Sequence, residues 1–238
     1  FNFYLKLFFM NKKLLGISLM TLGMFCLSVN DMTYKNLTMN FPVWEAIFFR
    51  AFSGSIISLI LVYRSGIVSL KTKKPIRHFV RAFSAVGCVV LYIFGIKYLL
   101  LSANIAIAHS APIIAALLAV PILGEKLGIH RIFAIIIGFI GVLIIVKPGT
   151  DLFYLKSLLP IGSAFFMAAV YLSTRSLMTT ETSTSIVFYY SFALLFTSII
   201  FFPSDFIIPD AFNLTLALSL GVMGSFGHYF MSQAARHA

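Results

Sequence analysis

Arg50 is the residue of this sequence most clearly placed to do chemistry, because it stands about eight residues inside an apolar segment that begins at position 43. A charge at that depth of a membrane-spanning helix costs about 2.5 to 3.5 kcal/mol on insertion scales, and this cost requires compensation. We expect Arg50 to face the interior of a helix bundle, to pair with an acid such as Asp31 or Glu45, and to bind an anionic group of a substrate. A purely structural ion pair that joins the first two helices is the alternative.

Glu45, Asn104 and His109 are further polar residues at or near membrane depth. Glu45 could bind a proton or an amine, or it could simply lie at the membrane interface. His109 could titrate near neutral pH, although a neutral histidine that bonds a neighbouring helix is the favoured interpretation. Pro112 removes a backbone donor just beyond it, so this helix is expected to bend there and either to pack in the interior or to line a substrate path.

Tyr171 and Tyr190 supply aromatic rings with hydroxyl groups in the second half of the chain. Such rings suit an adenine base by stacking and a cationic centre by cation–π contact. Because the chain has 26 Phe and 10 Tyr, ordinary packing against lipid or core is the alternative. The candidate substrate-binding residues are therefore Arg50, Glu45, Asn104, His109, Tyr171 and Tyr190.

No sequence pattern of an enzyme accompanies these residues. The sequence contains no metal-ligand spacing, glycine-rich phosphate loop, nucleophile elbow or pair of catalytic carboxylates. Its two cysteines, Cys26 and Cys88, lie in apolar segments, where neither a disulfide framework nor a metal site is expected. We therefore predict that the protein is not an enzyme and that it holds no cofactor and no metal.

The composition is that of a membrane protein. Since 60% of the residues are apolar and only 11% are charged, a soluble core of this length could not bury the apolar surface. The net charge of +11 does not indicate nucleic-acid binding, because the basic residues stand between apolar segments. We expect an all-α integral membrane protein with eight spans, near residues 14–33, 43–63, 79–98, 102–123, 132–146, 158–174, 185–203 and 212–231.

A faint internal repeat relates the two ends of the chain. At an offset of 143 residues, Phe49 and the Ser-Ile-Ile run at 55–57 match Phe192 and the same run at 198–200. Five spans separate the two copies, and an odd number means that the second copy enters the membrane from the other side. The pattern predicts an inverted repeat of five-helix units, with a first copy at residues 10–150 and an incomplete second copy of three helices at 151–238.

The run LLLSANIAIAHSAPIIAALLAVPILGEKLGIHR, followed by FAIIIGFIGVLIIVKPG, resembles the fourth and fifth helices of an EamA-type repeat of the drug/metabolite transporter superfamily. FFRAFSG in the second span fits the same family. The resemblance implies ten helices, of which eight are present here, both termini in the cytoplasm, and a multi-pass protein of the inner membrane.

The same resemblance implies alternating-access transport of a small organic metabolite, with the lipid bilayer as surroundings and no nucleic-acid partner. Within that family the chain is similar to the S-adenosylmethionine uptake transporters of intracellular bacteria. Export of amino acids or related metabolites is an alternative, and a membrane-embedded enzyme or assembly factor is a third. A homodimer is left open. Because two helices of the second repeat are expected beyond residue 238, the sequence as written is expected not to transport.

The charge distribution predicts the orientation of the chain. Apart from Arg50, thirteen Lys and Arg residues are assigned to one side and four to the other, and the richer side is the cytoplasmic one. We expect residues 71–77 to face the cytoplasm and residues 205–210 to face outward. Impermeant thiol labelling from outside should therefore modify Asp210→Cys but not Lys73→Cys, and the reverse pattern would overturn the orientation.

Overall fold

The structure is a computed structural model that describes residues 12–124, 128–146 and 155–237. Glu125 and Lys126, which belong to the sequence run that carries the family resemblance, lie outside the described residues, as does Asp151. The described part is built of helices and loops without a β-strand. Its helices are α1 (Lys12–Asn40), α2 (Val43–Ser65), α3 (Pro75–Tyr98), α4 (Leu101–Ala108), α5 (Ala111–Leu123), α6 (Ile129–Val146), α7 (Leu158–Leu177), α8 (Ser183–Ile200) and α9 (Ala211–His237), with short 3-10 turns at Ile67–Leu70 and Leu155–Ser157.

The all-α membrane class is confirmed. Each of the eight predicted apolar segments is helical, and the described residues contain seven helical stretches that are long and apolar enough to cross a membrane. In α6 the apolar run Ile132–Ile144 is shorter than these. The seven stretches count α4 and α5 as one, Leu101–Ile122.

The fourth segment is broken between α4 and α5, where a bend was expected. Pro112 stands at the start of α5 and has no backbone N–H to continue the bonding of α4. The Ile105 carbonyl accepts a hydrogen bond from His109 Nδ1 at 2.8 Å, and the Ser110 carbonyl accepts from the Ile113 backbone at 3.0 Å. The His109 side chain therefore adds a second hydrogen bond to the Ile105 carbonyl, which also accepts from the His109 backbone N–H at 2.9 Å.

The chain divides into two compact units, and the first unit combines α1 and α2 with α8 and α9. In it α1 packs on α9, and α2 packs on both α8 and α9. Glycines permit these contacts: Gly23 lies against the backbone of Gly227, and Gly221 lies against the backbones of Gly54 and Arg50. Without side chains at the crossing, the helix backbones can approach closely.

The second unit contains α3 to α7, with α7 packed on α3, α4 and α5. Ala111 and Ala119 of the predicted small-residue stripe are buried, at 1% and 6% exposure. Between α3 and α7, the Cys88 carbonyl accepts a hydrogen bond from Ser163 Oγ at 3.0 Å. The units do not follow the predicted repeats, since residues 10–150 contribute helices to both, and the repeat boundaries stay a prediction.

Gly221→Ala should destabilise the protein, because the added Cβ would overlap the backbones of Gly54 and Arg50, which cannot rotate away as a side chain would. We expect a loss of about 1 to 3 kcal/mol. Gly141→Ala is the matched control, since no other described atom lies within 4 Å of a Cβ built there. Thermal unfolding in detergent measures both variants, and equal melting temperatures would contradict the close crossing of α2 and α9.

Candidate functional site

Arg50 lies at the centre of the first unit, where it contacts all three of the other helices. The residue is 7% exposed. Its Nη1 donates to Tyr34 Oη of α1 at 3.4 Å, and its Nη2 donates to His228 Nε2 of α9 at 3.4 Å. On the α8 side it approaches the ring of Tyr190. The guanidinium therefore links four helices, as expected for a charge that faces the bundle interior.

Two tyrosine rings compensate part of the arginine charge. The guanidinium carbon stands 5.7 Å from the ring centroid of Tyr34 and 6.0 Å from that of Tyr190. Tyr190 in turn meets the His228 ring edge to face, with centroids 5.5 Å apart. Cation–π contacts at such distances contribute from about 0.5 to 2 kcal/mol each, the larger values where the groups are desolvated.

A glycine of α9 forms the surface on which the guanidinium rests. A Cβ built at Gly224 would lie 3.2 Å from both Nε and Nη2 of Arg50. Gly221 and Gly227 stand one turn to either side on the same helix. Gly224 therefore leaves space for the arginine side chain, while Gly221 and Gly227 let neighbouring helices approach α9 closely.

Arg50 makes no direct contact, within the described part of the chain, with the carboxylate partner that the sequence predicted. Among the described residues, the groups that contact the guanidinium directly are two tyrosines and a histidine rather than Asp31 or Glu45. Asp31 acts on Arg50 only as one of several electrostatic influences. The contacting groups accept hydrogen bonds and offer ring faces, but no carboxylate among them neutralises the charge. The positive charge of Arg50 is therefore available to an anionic ligand.

A small cavity lies beside the arginine within the first unit. Arg50, Tyr190, Ser191, Gly224 and Ser225 are among the residues that line it. Its interior of about 10 Å³ has room for about one water molecule, whereas pockets for drug-sized ligands measure roughly 300 to 1,000 Å³. A metabolite group could enter beside Arg50 only if the lining side chains or helices moved apart.

Glu45 occupies a different place on α2. It lines a second cavity together with Leu37, Phe41 and Asn213, and it is 1% exposed. Its Oε2 accepts a hydrogen bond from the Ile207 backbone at 3.2 Å, whereas Oε1 has no hydrogen-bond partner among the described residues. Glu45 thus ties the loop before α9 to the start of α2, and it does not meet Arg50.

Asn104, His109 and Tyr171 belong to the second unit, where Asn104 contacts Gly95 and Tyr92 of α3. Asn104 is fully buried, and its Nδ2 donates to the Tyr92 carbonyl at 3.3 Å. Its Oδ1 fills the space that Gly95 leaves empty, since a Cβ built there would overlap it. His109 is exposed at the break before α5, and Tyr171 is 37% exposed.

Sequence reasoning did not include Tyr34 and His228 among the candidate residues. Tyr34 follows Asn30 by four residues and precedes Leu37 by three, and all three are buried on one face of α1. His228 follows the glycine row of α9 directly. A polar aromatic residue on a buried stripe, and a histidine beside a row of glycines, are the signals that could have identified them.

Comparison with known proteins gives consistent matches over most of the chain. The model of the EamA-like transporter family matches residues 14–147. An S-adenosylmethionine uptake transporter of Rickettsia prowazekii (strain Madrid E) is 28% identical over 92% of this chain and 74% of that protein. The pseudopaline exporter CntI of Pseudomonas aeruginosa (strain UCBPP-PA14) is 26% identical over 93% and 78%. A solved crystal structure with 15% identity shares the fold, with a TM-score of 0.66 over 93% of this chain and 78% of that one.

Glu45→Ala should loosen the loop before α9, because the Ile207 N–H loses its acceptor. We expect a cost of about 1 to 3 kcal/mol in the free energy of unfolding. Glu45→Gln keeps an acceptor oxygen and should melt near the wild-type temperature. Thermal unfolding of both variants measures the difference. Equal destabilisation by Ala and Gln would contradict an anchoring role, and a raised KM for uptake in the Gln variant would add a role in substrate binding.

Proposed function

Because the chain belongs to the EamA-like transporter family, we propose that it carries a small organic metabolite across the membrane and binds an anionic group of that metabolite at Arg50. The observation that supports this role is the burial of the guanidinium among a histidine and two tyrosines, without a carboxylate in direct contact among the described residues. A structural arginine would be expected to have a carboxylate partner at this depth.

The geometry favours a carboxylate as the anionic group. A guanidinium offers donors in a fixed plane that match the two oxygens of a carboxylate. Tyr34 and His228 each accept from one terminal nitrogen, so they orient the fork, and Gly224 packs against it without a side chain. Ser191 and Ser225 line the adjoining cavity and provide hydroxyl groups for a second polar contact.

S-adenosylmethionine is the first substrate to test. It combines a carboxylate, a sulfonium centre and an adenine base, and the family matches include an uptake transporter for it. The carboxylate would meet Arg50, and the ring of Tyr190 would meet the cationic or planar part. Export of an amino acid or a related metabolite is the second candidate, since an exporter matches the chain over a similar length.

The proposal includes the architecture predicted from the sequence. If residues 10–150 and 151–238 are inverted repeats, α1 corresponds to α7 and α3 corresponds to α9. The first unit pairs α1 with α9 and the second pairs α7 with α3, as this correspondence requires, and the pairing supports alternating access by equivalent helices. Location in the inner membrane, cytoplasmic termini and transport without enzymatic turnover belong to the same proposal. Glu45, Asn104, His109 and Tyr171 stay predictions as substrate-binding residues. A homodimer is left open.

Arg50→Ala should abolish uptake in a form of the protein that otherwise transports, while leaving membrane insertion intact, because removing a buried charge lowers the insertion cost. Arg50→Lys should restore only part of the uptake, since an ammonium cannot make two parallel bonds to a carboxylate. Counterflow of labelled S-adenosylmethionine in proteoliposomes, followed by a competition panel of amino acids, measures both activity and substrate.

Arg175→Ala is the control, because Arg175 is an exposed arginine at the end of α7. This variant should transport like the wild type. Normal counterflow by Arg50→Ala would assign Arg50 to helix packing alone. Loss of counterflow with an unchanged amount of inserted protein would support the binding role.

A further inference from the structure

The loop between α2 and α3 presents apolar side chains to the surroundings. We define the α2–α3 loop as residues 63–73, from the last turn of α2 to the residue before Lys74. In it Tyr63, Ile67 and Val68 are 90%, 80% and 84% exposed. Because the loop joins two membrane-spanning helices, it lies at the surface of the bilayer. Exposed apolar residues at that level contact the boundary between headgroups and acyl chains.

Basic side chains surround these apolar residues. Arg64, Lys71 and Lys73 are exposed, and no acidic residue occurs between positions 63 and 73. Lys74 and Arg77 continue the basic run into α3. Apolar residues flanked by lysine and arginine, at the end of a spanning helix, are the pattern of a segment that binds anionic lipids.

Hydrogen bonds to α8 and to the residues before it fix the shape of the α2–α3 loop. The Leu70 carbonyl accepts from Tyr189 Oη at 2.9 Å, and the Ser69 carbonyl accepts from Thr182 Oγ1 at 3.2 Å. The Glu181 carboxylate accepts from Thr72 Oγ1 and from the Lys73 backbone, each at 3.0 Å. These bonds hold the loop backbone, so its apolar and basic side chains project from fixed positions.

Gly66 makes the turn that brings Ile67 and Val68 to the tip of the α2–α3 loop. Its φ of +81° lies in the left-handed region, which a residue with a Cβ rarely adopts. The turn separates α2 from the 3-10 turn Ile67–Leu70, and the two apolar residues begin that turn.

We propose that the α2–α3 loop is a binding site for anionic phospholipid of the leaflet that it faces. Ile67 and Val68 enter the acyl boundary with Tyr63 at the interface, while Lys71 and Lys73 bind the lipid phosphate. The spans on both sides hold the loop at headgroup level, which favours lipid over a soluble protein partner. Since the loop is bonded to the start of α8, bound lipid would also hold together the ends of α2 and α8, the helices that carry Arg50 and Tyr190.

Tryptophan quenching by brominated lipid tests this site directly, because the chain has one tryptophan, Trp44. Val68→Trp in a Trp44→Phe background places the only indole at the loop tip. In proteoliposomes of phosphatidylcholine with a small fraction of brominated lipid, brominated phosphatidylglycerol should quench more strongly than brominated phosphatidylcholine at equal mole fraction. Ile67→Trp in the same background provides a second position if the first variant does not fold.

Charge removal gives the matched comparison. Adding Lys71→Gln and Lys73→Gln should reduce the preference for phosphatidylglycerol by roughly fivefold per charge, or about 25-fold together. Lys97→Gln with Lys156→Gln, which removes two lysines on the side predicted to face outward, should leave the preference unchanged. Equal quenching by both lipids, a preference that survives the loop substitutions, or no quenching by either lipid would overturn the proposal.

Discussion

The burial of one guanidinium at the centre of a four-helix unit is the constraint on which the rest of this unit depends. A charge at the depth of Arg50 is tolerated only if surrounding groups replace the water that it has lost. Here the replacement comes from α1, α8 and α9 together, through Tyr34, Tyr190 and His228. Each of these groups stabilises the positive charge in part, and none is a carboxylate. The guanidinium is therefore held by uncharged groups, and this is the basis for proposing that it binds an anion.

Close approach of the helices is the second requirement, and the two units meet it differently. In the first unit, Gly221 and Gly54 let the backbones of α9 and α2 nearly touch, which brings His228 within reach of Arg50. In the second unit, the space left by Gly95 is filled by the side chain of Asn104, so two helices interlock through a polar residue. Glycine thus makes room for a buried guanidinium in one case and for an amide side chain in the other.

The sequence was sufficient for the membrane class, for all eight helical segments and for the burial of Arg50, because hydropathy and insertion cost depend on local composition. It could not supply the partners of Arg50. His228 stands 178 residues away along the chain, and a helical wheel gives the face of a residue but not the helix opposite that face. The expected acidic partner was a reasonable inference from charge alone, yet the buried neighbours are tyrosines and a histidine. For Asn104, polarity at membrane depth indicated a ligand path, whereas the structure shows that an interior contact can require the same residue.

Helix α2 connects the candidate site residues with the α2–α3 loop. It carries Glu45 in its first turn, Arg50 near its middle and the start of the α2–α3 loop at its end, over 23 residues or about 35 Å of helix. Its first turn is bonded to the loop before α9, its centre to α1 and α9, and the loop that follows it to the start of α8. A rigid helix cannot shift at one of these points without changing the others. If an anion binds at Arg50 as proposed, a shift of α2 would change the contacts at both of its ends. This is the physical route by which the proposed binding could change access from one side of the membrane to the other.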